Sequence, residues 1–150
     1  MSRFAENNYQ AQLKRNRWIT TLIFILILFF GSLFALRGNS GAITAQVNDT
    51  LLGVAGTYGE PVFVSLDEIE QLRLAEALDF GTQVDGETKD NTRSGAYQNE
   101  EFGDYALHVY HEKAPYIVVR YNGGNTLVFN LGRASLTNEI YEELQKAMAD

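Results

Sequence analysis

Two histidines, His108 and His111, and several clustered carboxylates are the side chains in this chain with the most chemistry to offer. Two zinc ligands on one strand need i and i+2 spacing, so that both face the metal. Three positions apart, these histidines point to opposite faces, and the sequence has no cysteine to complete a site. His108 therefore reads as a cross-strand partner and His111 as a turn residue. Asp67-Glu68 with Glu70, Glu100-Glu101 with Asp104, and Glu142-Glu143 are carboxylate clusters. Hydrolysis needs two carboxyl groups held across a cleft, one of them in an apolar setting. These sit side by side in polar stretches and read as a solvated acidic face. The run DGETKD, residues 85–90, lacks the alternating acids and final Glu of an EF-hand and offers at most a weak surface calcium site. Gly53-Val54-Ala55-Gly56 lacks the lysine and following helix of a phosphate loop, so its glycines suit strand bending or close backbone approach. No serine stands in a nucleophile-elbow pattern, and the absence of cysteine removes thiol catalysis and disulfides. The expectation is a chain without catalytic residues, resident metal or cofactor.

Binding is the remaining chemistry. Tyr97, Phe102, Tyr105, Tyr110, Tyr116 and Tyr121 offer large contact area with polar tips, and Arg93 and Arg120 offer forked donors. At least half of these aromatics are expected to fill the core. The candidate binding residues are Arg93, Tyr97, Phe102, Tyr110 and Arg120.

Period-two patterns must position them. Strands are expected over residues 43–47, 51–57, 61–64, 69–75, 105–110, 116–121 and 126–130. The last two meet at Asn122-Gly123-Gly124, residues that accept positive φ and so predict a tight hairpin. Residues 80–99 are polar, with three glycines and little apolar periodicity, and read as a long loop that can enter a strand near 95–98. From Thr137 the period changes to that of a helix. Ile140, Tyr141, Leu144, Ala147 and Met148 share one face, with Thr137 placed to cap and Glu139 in the first turn. Strands followed by one amphipathic helix predict an α+β, mainly β domain in which the helix covers an apolar sheet face or barrel mouth.

A different solvent governs the N-terminal part. Trp18 to Leu36 runs nineteen residues without a charge, directly after Lys14, Arg15 and Arg17. As a helix this is roughly 28 Å long, close to the ~30 Å hydrocarbon core of a bilayer. Its few polar side chains, Thr20, Thr21 and Ser32, can bond back to their own helix. A single transmembrane helix over 18–36 is expected, anchored through Trp18, Leu22, Phe24, Leu28, Phe30 and Leu36. The apolar run exceeds the ~7 to 15 residues of a signal peptide, so an uncleaved signal anchor fits better than a cleaved leader, although Ser40-Gly41-Ala42 offers small residues for cleavage. A prepilin-type leader would need a Gly-Phe junction that is missing.

The organisation that follows is a basic cytoplasmic N-terminus, 1–17, the span, a flexible tether, 37–42, and one domain, 43–150. Arg3, Lys14, Arg15 and Arg17 precede the span, and only Arg37 follows it before Arg73. The positive-inside rule thus places the C-terminal domain outside the plasma membrane. The first 17 residues carry net charge +3 and the remainder −10. An acidic domain of this kind repels nucleic acid and anionic headgroups. The bilayer and a protein partner are the partners expected.

Several segments together resemble a family of small bacterial pleckstrin-homology-like domains, often found behind a membrane anchor. They are Thr57-Tyr58-Gly59 leading into 62–69, the strand 105–110, Ala114-Pro115-Tyr116-Ile117-Val118-Val119, Leu127-Val128-Phe129-Asn130-Leu131 and the helix 137–144. The resemblance covers about residues 43–149. It implies a strongly bent antiparallel β-barrel or sandwich of seven strands, capped by the C-terminal helix, acting as a binding scaffold. Eukaryotic relatives that bind phosphoinositides carry Lys and Arg between their first two strands. The corresponding Gly56-Thr57-Tyr58-Gly59-Glu60-Pro61 has no base, so phosphoinositide binding is not expected. The resemblance therefore favours a non-enzymatic interaction module. A small-ligand or sensor domain with a pocket between barrel and helix is the alternative.

Overall fold

A computed structural model describes residues 42–150. The expected cytoplasmic segment, the span with Trp18, Leu22, Phe24, Leu28, Phe30 and Leu36, and most of the tether lie outside the described residues. Among the described residues, no helix is long and apolar enough to cross a membrane.

The described chain is a mainly β domain that ends in one helix. Its strands are β1 (Thr44–Val47), β2 (Leu51–Ala55), β3 (Val62–Ser65), β4 (Ile69–Ala75), β5 (Thr82–Thr88), β6 (Thr92–Asn99), β7 (Gly103–Tyr110), β8 (Tyr116–Tyr121) and β9 (Asn125–Phe129), followed by α1 (Ala134–Ala149). Strands β1-β2-β3 form a small antiparallel sheet, and β4-β8-β9-β7-β6-β5 form a larger mixed one. The expected antiparallel barrel of seven strands is thus corrected. Nine strands are described, in two sheets that do not close, and β7 runs parallel to β9. The β8–β9 hairpin slots between β4 and β7, so β9 meets β7 pointing the same way.

Side-chain alternation explains how the large sheet is buried on both faces. On one face Ile117, Val119, Leu127 and Phe129 pack against Leu52, Val54 and Val64 of the small sheet and Leu144 of α1. On the other, Leu107, Val109, Val118 and Val128 lie beneath Leu78, Phe80, Phe102 and Ala114. A strand covered on both sides reads as a continuous apolar run, which is what Tyr116 to Val119 and Leu127 to Phe129 are. Helix α1 begins earlier than its periodicity implied, with Arg133 at the N-cap. Thr137 is not the cap. It lies inside the helix, where its hydroxyl accepts the Leu131 N–H at 3.0 Å and ties the helix to the end of β9.

The long loop expected over 80–99 is likewise corrected, because it contains β5 and β6 as an antiparallel pair. Gly86 stands opposite Gly95, and a bulge between Gln83 and Asp85 shifts the register at Val84. Two facing glycines and a bulge erase the alternation by which a strand is recognised. Gly95 is also sterically required. At φ 136° it lies so close to β5 that a Cβ there would stand 2.3 Å from the Asp85 carbonyl oxygen.

Candidate functional site

The small sheet covers only part of the large one. Beyond β9, the strands β7, β6 and β5 extend as a wing, and between that wing and the β2–β3 connection lies an open groove of about 410 Å³. Its floor follows from register. Ala96 pairs with Ala106, so two methyl groups occupy the position where larger side chains would fill the space. Asp85 pairs with Ala96 on the outer side, and paired residues share a face, so its carboxylate borders that floor. Asp104 and His108 flank Ala106 at two-residue steps along β7 and line the same groove. Tyr58, Glu60 and Val62 form the opposite wall, and none of the described lining residues is Lys or Arg.

Two hydrogen-bonded units hold this wall and floor in place. The Tyr58 hydroxyl donates to Asp85 Oδ1 at 2.9 Å and bridges the β2–β3 connection to β5. That bond to a carboxylate, and the carboxylate's charge, raise the Tyr58 pKa above its ordinary value. Deeper, Ser94 Oγ accepts the Thr57 N–H at 2.9 Å and lies 2.9 Å from His108 Nδ1. Ser94 Oγ has two lone pairs, so beside the Thr57 N–H it can either donate to or accept from Nδ1, according to which ring nitrogen of His108 carries the proton. Nε2 has no hydrogen-bond partner among the described residues and is not sealed from solvent.

His108 is 3 % exposed, and burial pushes its pKa down to about 4 from 6.5. An unfolded histidine takes up a proton near 6.5, so the folded state keeps this contribution above that pH. It loses stability as pH falls toward the folded value of about 4, by roughly 3 kcal/mol in total. Urea unfolding of the full chain in detergent, over a pH series from about 7.5 to about 4.5, should show this slope in the wild type. It should flatten in His108→Gln. Parallel profiles for the two proteins would show that another group governs acid sensitivity.

The candidate residues named from sequence do not converge on this groove. Arg93, Tyr97 and Phe102 gather on the other face of the wing, where they secure the crossover between β4 and β5. The Arg93 guanidinium lies 5.6 Å from the Phe80 ring centre, and Phe80 meets Tyr116 edge-on at 5.4 Å. The Tyr97 hydroxyl donates to Gln83 Oε1 at 3.0 Å from an otherwise buried ring. Phe102 packs edge-on against Tyr105 at 5.2 Å and carries Arg73, which is ion-paired with Glu101, over its ring. Tyr105 donates to the Phe80 carbonyl at 2.7 Å, and burial raises its pKa. Tyr110 stands apart, its hydroxyl accepting the Ile43 N–H at 3.2 Å. Arg120 is an exposed residue that lines, with Glu70 and Gln71, a separate open depression of about 460 Å³.

Between helix and sheet, where a ligand pocket was the alternative, Leu144 is fully buried and fills the space. Among the described residues, a surface notch lined by Leu72, Gln145, Met148 and Ala149 lies there, without an ionisable group. Among the described residues, no group of three His, Asp or Glu side chains is placed to hold a metal ion.

Sequence reasoning gave no binding role to Asp85, Ala96, Asp104 or Ala106, whereas His108 is the cross-strand partner it was read to be, standing opposite Ser94. The signal available was the face of β7 opposite Tyr105, Leu107 and Val109, which reads Asp104, Ala106, His108. The chain matches no family model, no curated protein and no solved structure.

Proposed function

We propose that this chain is a membrane-anchored, non-enzymatic binding module that presents its domain outside the plasma membrane and recognises a protein partner through the groove between the β2–β3 connection and the β5–β6–β7 wing. The charge-free run 18–36 and the basic residues before it support the anchor and its orientation. A mainly β domain ending in a helix is compatible with the pleckstrin-homology-like resemblance, and both point to a scaffold for binding. One observation carries the reading. The two cores are filled, whereas the groove leaves an apolar floor bordered by carboxylates and open to a partner.

Because residues 82–99 form two integral strands, deleting them would test folding rather than binding. Point substitution is the usable test. A photo-crosslinking amino acid at exposed Ala96 in the groove, compared with one at exposed Gln71 outside it, is introduced into the full chain in its own membrane. Crosslinks to a polypeptide from position 96 and not from position 71 are expected. Equal crosslinking from both, or none from position 96, would overturn the reading.

A further inference from the structure

Resting on that reading, we propose that the groove takes an extended basic segment of its partner, a short stretch with a Lys or Arg side chain between apolar ones. Length argues for a segment rather than a single small molecule. From Asp104 to His108 the groove follows four residue steps of β7, about 13 Å, the span of about four extended residues.

Polarity then assigns the ends. Asp85 and Asp104 line a site with no Lys or Arg among the described residues, and the Tyr58 hydroxyl already orients one oxygen of Asp85, leaving the other for a ligand. A guanidinium or ammonium group placed between these carboxylates also lies beside the Tyr58 ring, whose face attracts cations. His108 supplies a further polar group along the groove. Its imidazole is almost wholly buried, Nδ1 is held by Ser94, and Nε2 has no hydrogen-bond partner among the described residues. Facing the groove, Nε2 can exchange a hydrogen bond with the main chain of an extended segment, as donor to a carbonyl or acceptor from an N–H according to its tautomer. The methyl groups of Ala96 and Ala106 accept apolar contact between the two polar ends.

The test uses the full chain in lipid nanodiscs and an acetylated, amidated model peptide of alternating leucine and arginine. Parallel peptides carry glutamine or glutamate in place of arginine. Binding is read by nuclear magnetic resonance of an isotope-labelled His108 ring and by titration. The arginine peptide should bind, shift the His108 ring signals and weaken with added salt, while the glutamine and glutamate peptides should not bind measurably. Asp85→Asn and Asp104→Asn should each weaken binding by about three- to fivefold, as expected for single exposed charge pairs. His108→Gln, retaining a donor, should weaken it less than His108→Phe. Equal binding of the arginine and glutamine peptides, or binding untouched by both Asp substitutions, overturns the inference. If position 96 crosslinks to a polypeptide while the arginine peptide fails to bind, the binding module stands and the basic occupant falls.

Discussion

Asn130→Ala is expected to lower folding stability by about 4 kcal/mol, an unusually large loss for a single polar side chain. Asn130 is fully buried at the end of β9, where β7 leads into the turn before β8. Its Oδ1 accepts the Tyr110 N–H at 2.7 Å, and its Nδ2 donates to the Tyr110 carbonyl at 3.0 Å and the Lys113 carbonyl at 2.8 Å. The side chain thus supplies to Tyr110 the two bonds that another strand residue would supply, after the β9 backbone has turned away. Alanine removes all three bonds and leaves the Tyr110 N–H and the Lys113 carbonyl without these partners, while the Tyr110 carbonyl keeps the Lys113 N–H at 3.1 Å. Each lost bond contributes about 1 kcal/mol, and each stranded group adds a desolvation penalty of its own. Asn130→Asp should not rescue, because a carboxylate would face the same two carbonyls. Urea unfolding followed by circular dichroism gives the stability change, and hydrogen exchange at the Tyr110 amide reports the clasp itself. A loss below about 1 kcal/mol, with Tyr110 still protected, would mean that water takes over the amide's role.

How far this architecture was readable depends on what each residue had to report. The strands β4 and β8 were legible to the residue, because the apolar–polar steps Leu72-Arg73-Leu74 in the first and an apolar run from Tyr116 to Val119 in the second each leave a clear trace in the sequence. Asn122-Gly123-Gly124 was equally legible, since all three adopt positive φ at the β8–β9 turn. Strand β5 was not, and the reason is physical. It lies at the sheet edge with Val84 63 % exposed in its bulge, and at its middle it meets β6 by backbone contact across Gly86 and Gly95. Backbone contact has no hydrophobic period. The parallel β7–β9 pairing was equally hidden, because apolar runs do not say which neighbour they join. The groove suffered from a different bias. Aromatic and arginine side chains suggest binding by their size, but in this domain Tyr97, Phe102 and Arg93 secure a crossover, whereas the recessed surface is made by alanines. A concave site is marked by small residues at its centre, and small residues carry little weight in a sequence.

Gly56→Ala is the second substitution with a large expected effect, and it tests the packing beneath the groove. A Cβ at position 56 would stand 1.9 Å from His108 Nδ1 and 2.4 Å from Ser94 Oγ. Neither atom can retreat cheaply, since Ser94 and His108 are both buried and bonded to each other, and Ser94 also holds the Thr57 N–H. Relief requires breaking that chain or lifting β2 away from β6 and β7, at an expected loss of about 4 kcal/mol. The glycine here serves close approach and not turning, because its φ is not positive. Gly59, in the same connection at φ 80°, would find open space for a Cβ, so Gly59→Ala should cost only the about 1 kcal/mol of a left-handed backbone. The decisive measurement is a double-mutant cycle. His108→Ala alone opens a cavity, but in the Gly56→Ala background it removes the nearest clash and the new methyl occupies part of the space. The double variant should therefore be more stable than the sum of the two single losses by about 2 kcal/mol. Additive losses would show that Gly56 is required for a reason other than the imidazole beneath it.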